Sequence, residues 1–252
     1  MYQEAIARLR NYIPPPTTYY SVPVSRRAAV LLLLFADAKG DLRVVVTIRA
    51  KTLSSYAGDA ALPGGRAENT ESAFQTARRE ACEEIGLPDI QEREKLPPPF
   101  SVEHLCEFPA NLARTEVVVR PCVALLHSYD AGLGLKSNPE VSLIPILDTR
   151  EVEVVFTAPF QDFLRGHGEN GEDWYRGSWG MWHNSQWRMH QFFVPRADQV
   201  YRIFGMTARI IVDAARVAYA QEPEFEHNSH FGDEAMIADL RQLGRLGEKA
   251  KV

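Results

Sequence analysis

Apolar positions along this chain fall into two rhythms. One repeats every second residue or runs unbroken for a few residues, and the other repeats at three and four. The N-terminal residues before the prolines carry the helical rhythm, with Ile6, Leu9 and Ile13 on one side, and the prolines at 14–16 stop it. Two strands are predicted next, 28–35 ("AAVLLLLF") and 42–49 ("LRVVVTIR"), joined through "ADAKGD" as a short hairpin. After a loop-rich stretch over 50–62, a helix is predicted from about Glu71 to Ile85, ended by Gly86 and Pro88. Strand patterns return at 100–108, 116–127 and 152–158, with a loop excursion over 129–143 and a helical turn or two at 159–164. A surface loop is expected at 167–173 and two short strands around Trp187–Val194. A long helix follows over 204–220, where Met206, Ile210 and Val217 share a face. Residues 233–247 carry a weaker helical pattern. With no repeat or clear linker, the expectation is one α/β domain over 1–252, with a helical N-terminal arm (about 1–25) and a C-terminal extension (about 221–252).

Composition narrows the function classes. The 252 residues are 45% hydrophobic and 24% charged, ordinary for a globular chain. A net charge of −5 argues against broad electrostatic binding of nucleic acid or anionic membrane, so an anionic substrate would have to be met with added cations. The most apolar run, 28–36, is too short for a bilayer span, which needs about 20 residues. It also lies inside the chain behind Arg26 and Arg27, unlike a signal peptide. Three cysteines, Cys82, Cys106 and Cys122, show no paired ligand spacing and point to a reducing compartment.

The helix at 71–85 raises a question of charge. On a helical wheel Glu80, Glu83 and Glu84 fall within about a third of the circumference, and like charges at such spacing repel. Phe74, Ala77, Ala81 and Ile85 form a separate apolar stripe, so the helix can pack while presenting three carboxylates along one rim. Clustered carboxylates are hard oxygen ligands suited to Mg²⁺ or Mn²⁺, and Mg²⁺ is typically shared with substrate phosphates. The alternative is a solvated face on which Arg79 pairs with Glu83 four residues on.

Gly65, Glu71, and then "REACEEIGL" from Arg79 to Leu87, at spacing Gly-x5-Glu-x7-Arg-Glu-(apolar)-x-Glu-Glu-x-Gly-(apolar), resemble the signature of the Nudix hydrolases without a gap. The resemblance implies a loop–helix–loop motif in an α/β/α sandwich around a mixed sheet, and hydrolysis of a nucleoside diphosphate linked to another moiety. Carried over position by position, Glu80, Glu83 and Glu84 would bind metal, and Arg79 and Glu71 would brace the motif as an ion pair. The Pro63-Gly64-Gly65 turn would let backbone carbonyls, Gly64 included, approach the metal. A carboxylate would act as general base toward the attacking water, Glu83 or else Glu84 within the motif, with Glu153 as an outside candidate. For Glu153 the plain alternative is an exposed strand-end carboxylate.

Upstream, "VVVTIRAKTLSSYAGDAALPGG" (44–65) resembles the coenzyme A diphosphatase branch, with Thr47, Arg49, Ala50, Gly58, Pro63, Gly64 and Gly65 in register. Ser54 stands where that pattern has a second arginine, and Leu62 where it has phenylalanine. "FGMTARII" (204–211) adds the Gly-x-Thr-Ala start of the branch's last helix, and the overall likeness is to its fungal peroxisomal members. The implied reaction splits the diphosphate of coenzyme A or a derivative into 3′-phosphoadenosine 5′-phosphate and 4′-phosphopantetheine (or its acyl form). Arg49, Ser54 and Gly58 would lie against the substrate; for Arg49 the alternative is a strand-end salt bridge. Other nucleotides (an oxidised nucleoside triphosphate, NADH, ADP-ribose) and a non-catalytic binding module remain as alternatives. A homodimer is left open.

Two further segments have plain explanations. All four tryptophans, 174, 179, 182 and 187, lie in one stretch that suits a ligand channel, a packed hairpin turning at "HNSQ" or a dimer face. "HNSH" (227–230) lacks a fourth group at ligand spacing. The likeness suggests a peroxisome, but the tail "AKV" is not a Ser-Lys-Leu-like address, which leaves peroxisome or cytosol.

Overall fold

The computed structural model describes residues 2–49, 59–88, 96, 98–130, 135–136, 152–168, 173–196 and 199–248. A mixed sheet organises the chain. Its main path runs β10 (Val152–Pro159), β2 (Leu42–Arg49), β1 (Arg27–Ala36), β7 (Val118–His127), β5 (Ser101–Glu107). Only β1 and β7 run parallel; the other neighbours are antiparallel. Three short strands attach at the sides: β3 (Ala60–Ala61) on β2, β4 (Gly64–Arg66) on β1 and β6 (Asn111–Leu112) on β7.

The unbroken apolar run of β1 has a simple cause, since both faces of this central strand are covered. Leu31, Leu33 and Phe35 face one helical layer, and Leu32 and Leu34 the other. The first layer holds α2 (Ala73–Ile85) and Ile237 and Leu240 of α4 (Glu234–Gln242). The second holds α1 (Tyr2–Arg10) and α3 (Gly205–Tyr219). The result is the α/β/α sandwich expected from the likeness. A three-stranded antiparallel sheet, β11 (Tyr175–Trp182), β12 (Ser185–Arg196) and β13 (Gln199–Phe204), joins the second layer through Phe192, Val194 and Ile203. β8 (Tyr129–Asp130) and β9 (Leu135–Lys136) form a small separate pair, and the rest of the 129–143 excursion lies outside the described residues.

Three elements differ from their sequence reading. The helix α2 starts at Ala73 rather than Glu71. Ser72 accepts the Gln75 amide while the Gln75 side chain accepts the Ser72 amide, a reciprocal cap that places Glu71 before the first turn. At its other end Gly86, at φ +64°, closes the helix with bonds to Ala81 and Cys82 carbonyls. The two short strands expected near Trp187–Val194 are one long strand, β12, paired along its length with β11 and then β13. His183 and Asn184, at φ 43° and 62°, make the two-residue turn between β11 and β12. Ile13 is 87% exposed, because α1 ends at Arg10, so that Ala5, Ile6 and Leu9 reach the core and Ile13 does not.

Helix α1 is held down as well as packed. Arg10 clasps Glu103 of β5 through two bonds of 2.7 and 2.9 Å, and Arg8 donates to the Ala218 carbonyl at the end of α3. After the prolines, Thr17 and Thr18 both donate to Glu234 at the start of α4.

Candidate active site

The turn before α2 is shaped by close backbone approach. Pro63 gives its carbonyl to the Leu31 amide at 2.7 Å, and β4 then pairs with Ala28–Val30 of β1. A Cβ on Gly64 would strike the Ala29 carbonyl and the Val30 backbone, so the strand could not lie where it does. Gly65 is required for a different reason: its missing side chain leaves the space filled by the Glu80 carboxylate. The sequence places glycine beside glutamate only through the fold, fifteen positions apart in number and in van der Waals contact in space.

Arg79 ties the rim together. Its Nε and Nη2 grip Glu71 at 2.9 and 3.2 Å, and Nη2 also donates to the Arg66 carbonyl at 2.8 Å. Its Nη1 reaches Glu80 at 3.0 Å and both oxygens of Glu83 at 3.4 Å. One planar guanidinium therefore braces the preceding loop and partly neutralises two of the clustered carboxylates. Hydrogen bonding to Glu71, opposed by burial and helped by Glu80, raises the Arg79 pKa further above its normal range. For Glu71, burial works upward, but the bonds from Arg79, the Glu68 amide and the Thr76 hydroxyl outweigh it and hold the carboxyl low.

The three carboxylates differ in their surroundings. Glu84 is buried, accepts the Gly64 amide at 3.0 Å and lies 3.7 Å from Nη1 of Arg49. The side chain of Glu80 is mostly covered, while that of Glu83 is 54% exposed and faces solvent. Gly64 thus meets the cluster through its amide, which donates to Glu84. Arg49, at the end of β2, also keeps its buried Nε without a hydrogen bond among the described residues. Glu153 is exposed and sits in a β-bulge of β10, where pairing passes from Val152–Arg49 to Val154–Ile48. The bulge brings its backbone beside Arg49 at the same end of the sheet. Ser54 and Gly58 lie outside the described residues.

The tryptophan-rich stretch is packed at Trp174, while Trp179 stays 42% exposed on β11. Trp174 is buried against Phe163 and Phe192, and Arg188 and Arg209 cover Trp179 and Trp187. The "HNSH" segment is tied down by Asn228, which bonds the β12 backbone at Arg188 and Gln186. Cys82 is half-buried on α2. Partners such as Glu68 and the Arg66 carbonyl in the loop and Thr76 in the first turns of α2 were not legible as parts of the site, because nothing in their local spacing marks them.

A family model described as the NUDIX domain matches residues 25–119. An uncharacterized Nudix hydrolase, NudL of Photorhabdus laumondii, is 30% identical over 212 residues, covering 84% of this chain and 94% of that protein. The chain belongs to the Nudix hydrolase family. It is also 35% identical over 202 residues to the mitochondrial Nudix hydrolase 15 of Arabidopsis thaliana, covering 79% of this chain and 61% of that protein. The peroxisomal coenzyme A diphosphatase 1 of Saccharomyces cerevisiae is 33% identical over 173 residues, 64% of this chain and 49% of its own length. The chain thus spans about half to three-fifths of the length of these two relatives. In Nudix terms, the glycine turn, Arg79 and the acidic rim of α2 form the family's loop–helix–loop on the sheet. No helix among the described residues is long and apolar enough to cross a membrane.

Proposed function

We propose that this chain is a Mg²⁺- or Mn²⁺-dependent diphosphatase that cleaves coenzyme A or its derivatives. The observation that carries the reading is the carboxylate rim of α2 pressed against the Gly64-Gly65 turn, with Glu80 in a space that only glycine leaves open. The donor set, Glu80, Glu83 and Glu84, is all hard oxygen, fits Mg²⁺ or Mn²⁺, and lies beside an arginine with an unengaged buried donor among the described residues. The cation supplies neutralisation of the diphosphate charge and acidification of a water.

The chain's own residues do the rest. Arg79 keeps Glu80 and Glu83 on one rim and would hold that geometry while charge changes around it. Glu83, the most exposed of the three, would take a proton from an attacking water, with Glu84 as the alternative inside the helix and Glu153 beside Arg49 as the one outside it. Arg49 would release Glu84 and meet a substrate phosphate, and Ser54 and Gly58 are assigned to the same proposed substrate side. The upstream pattern at 44–65 and the yeast relative's name support the coenzyme A class. The same reading puts the protein in peroxisome or cytosol, the former favoured by that relative's name.

The test is a substrate panel with Mg²⁺ and an EDTA control: coenzyme A, an acyl form, the oxidised form, NADH, ADP-ribose and 8-oxo-dGTP. Metal-dependent 3′-phosphoadenosine 5′-phosphate from the coenzyme A compounds alone is the expected result. Turnover of another nucleotide alone would discard the substrate class, and Ser54, in place of the branch's second arginine, would be the first residue to examine. No turnover with any metal would favour a binding module.

A further inference from the structure

We infer that the chain carries a second metal site, for a thiophilic divalent ion such as Zn²⁺, formed by His104 and Glu107 of β5 and Cys122 of β7. One ligand atom from each lies within 4.8 Å of the others. These three groups come together through pairing and not through any sequence spacing. In a regular strand residues three apart face opposite sides. Here a bulge in β5 shifts the register from His104–Ala124 to Cys106–Val123 and Glu107–Cys122. Leu105 and Cys106 therefore both enter the core on the α1–α3 side. His104 and Glu107 are left on the α2 side, where Cys122 also points.

Each ligand is already oriented. The His104 ring stacks on Phe74 of α2 at 3.6 Å, which fixes the plane of the imidazole. Arg120 holds Glu107 through Oε2 at 3.2 Å, which leaves Oε1 for a cation, and Arg120 keeps Glu234 as a second partner. Cys122 is the buried end of the site and His104 and Glu107 form its open side. Tetrahedral ligands of Zn²⁺ stand about 3.5 Å apart, so closure asks for about 1 Å of adjustment by the two outer side chains. Thiolate with imidazole selects Zn²⁺ over Mg²⁺, unlike the all-oxygen rim of α2. Burial pushes the Cys122 thiol well above its ordinary range, so binding releases its proton to solvent and leaves the thiolate on the metal. A water completes the fourth position.

The experiment is a Co²⁺ titration of the full chain, followed by ultraviolet absorption and then by displacement with Zn²⁺. A saturating thiolate-to-cobalt charge-transfer band at one equivalent, bleached by Zn²⁺, is expected. Cys122→Ser, His104→Ala and Glu107→Gln should each weaken Co²⁺ affinity by at least about tenfold. Cys82→Ser, Cys106→Ser and Glu80→Gln should leave the band unchanged. His104→Ala and Glu107→Gln change only the outer side chains, so they decide the matter even if Cys122→Ser fails to fold. No band, or a band indifferent to all three ligand variants, overturns the site. Either result is separate from hydrolysis in Mg²⁺, whose oxygen ligands produce no sulfur band.

Discussion

Alanine at Gly64 and alanine at Gly65 should separate fold from site. The two substitutions add the same methyl group to adjacent residues, and the structure assigns them opposite outcomes. At Gly64 the new Cβ meets backbone: the Ala29 carbonyl and the Val30 Cα of β1. Strand β4 must pull away from β1, and the residue must also hold φ +156°, which side chains seldom adopt. Overpacking costs about 1–3 kcal/mol and the backbone conformation about 1 more, so a loss of about 3 kcal/mol follows. For a chain of this size that is a fall in Tm of about 6–12 °C. At Gly65 the Cβ meets only the tip of the flexible Glu80 side chain. The carboxylate swings out and its partly exposed pair with Arg79 is lost, about 0.5–1 kcal/mol. Reduced freedom of the unfolded chain returns a similar amount, leaving stability nearly unchanged. Metal binding should suffer instead: a loss of at least about tenfold in Mg²⁺ affinity takes away up to about 1.4 kcal/mol of the Mg²⁺-dependent stabilisation, a Tm rise smaller by about 3–6 °C, and the hydrolysis rate should fall at least about tenfold. Thermal melts with and without Mg²⁺, run beside the activity assay, read all of this. Equal melting losses in the two variants, or an unaltered Mg²⁺ response in Gly65→Ala, would refute the reasoning.

Other variants test neighbouring arguments. Glu83→Gln, at a 54% exposed side chain, should change stability by less than about 0.5 kcal/mol while hydrolysis drops about a hundredfold or more; full activity would remove Glu83 as the base. Glu103 is held at about 2, chiefly by its bond to Arg10 and against burial, with His127 helping. A depressed carboxyl stabilises above the unfolded value of 4.5 and loses that contribution as pH falls toward 2. After solvent screening this is about 1 kcal/mol, so Glu103→Gln should flatten the stability profile between those values in urea titrations, and parallel profiles would count against the α1 clasp. Asn184→Val, at φ 62° in the β11–β12 turn, should cost about 1–2 kcal/mol, measured by chemical denaturation; a neutral result would mean the turn is not the one described.

Local order was written in the chain, and contact across it was not. The strands β1, β2, β5, β7 and β10 and the helices α2 and α3 were readable because their apolar periods are set by backbone geometry, which acts over a few residues. The same holds for the acidic rim: Glu80, Glu83 and Glu84 share a side of any helix that forms there, and the glycine turn precedes it by fixed spacing. Only the tertiary structure decided how the three carboxylates differ. Glu84 is buried under Arg49, Glu80 fills the gap at Gly65, and Glu83 is left in solvent, because those outcomes depend on which strand lies under each turn of α2. The same reason hid His104, Glu107 and Cys122, whose union needs both a one-residue bulge and the register of β5 on β7. A bulge leaves almost no mark in hydrophobic pattern, yet it moves a side chain from one face of a sheet to the other.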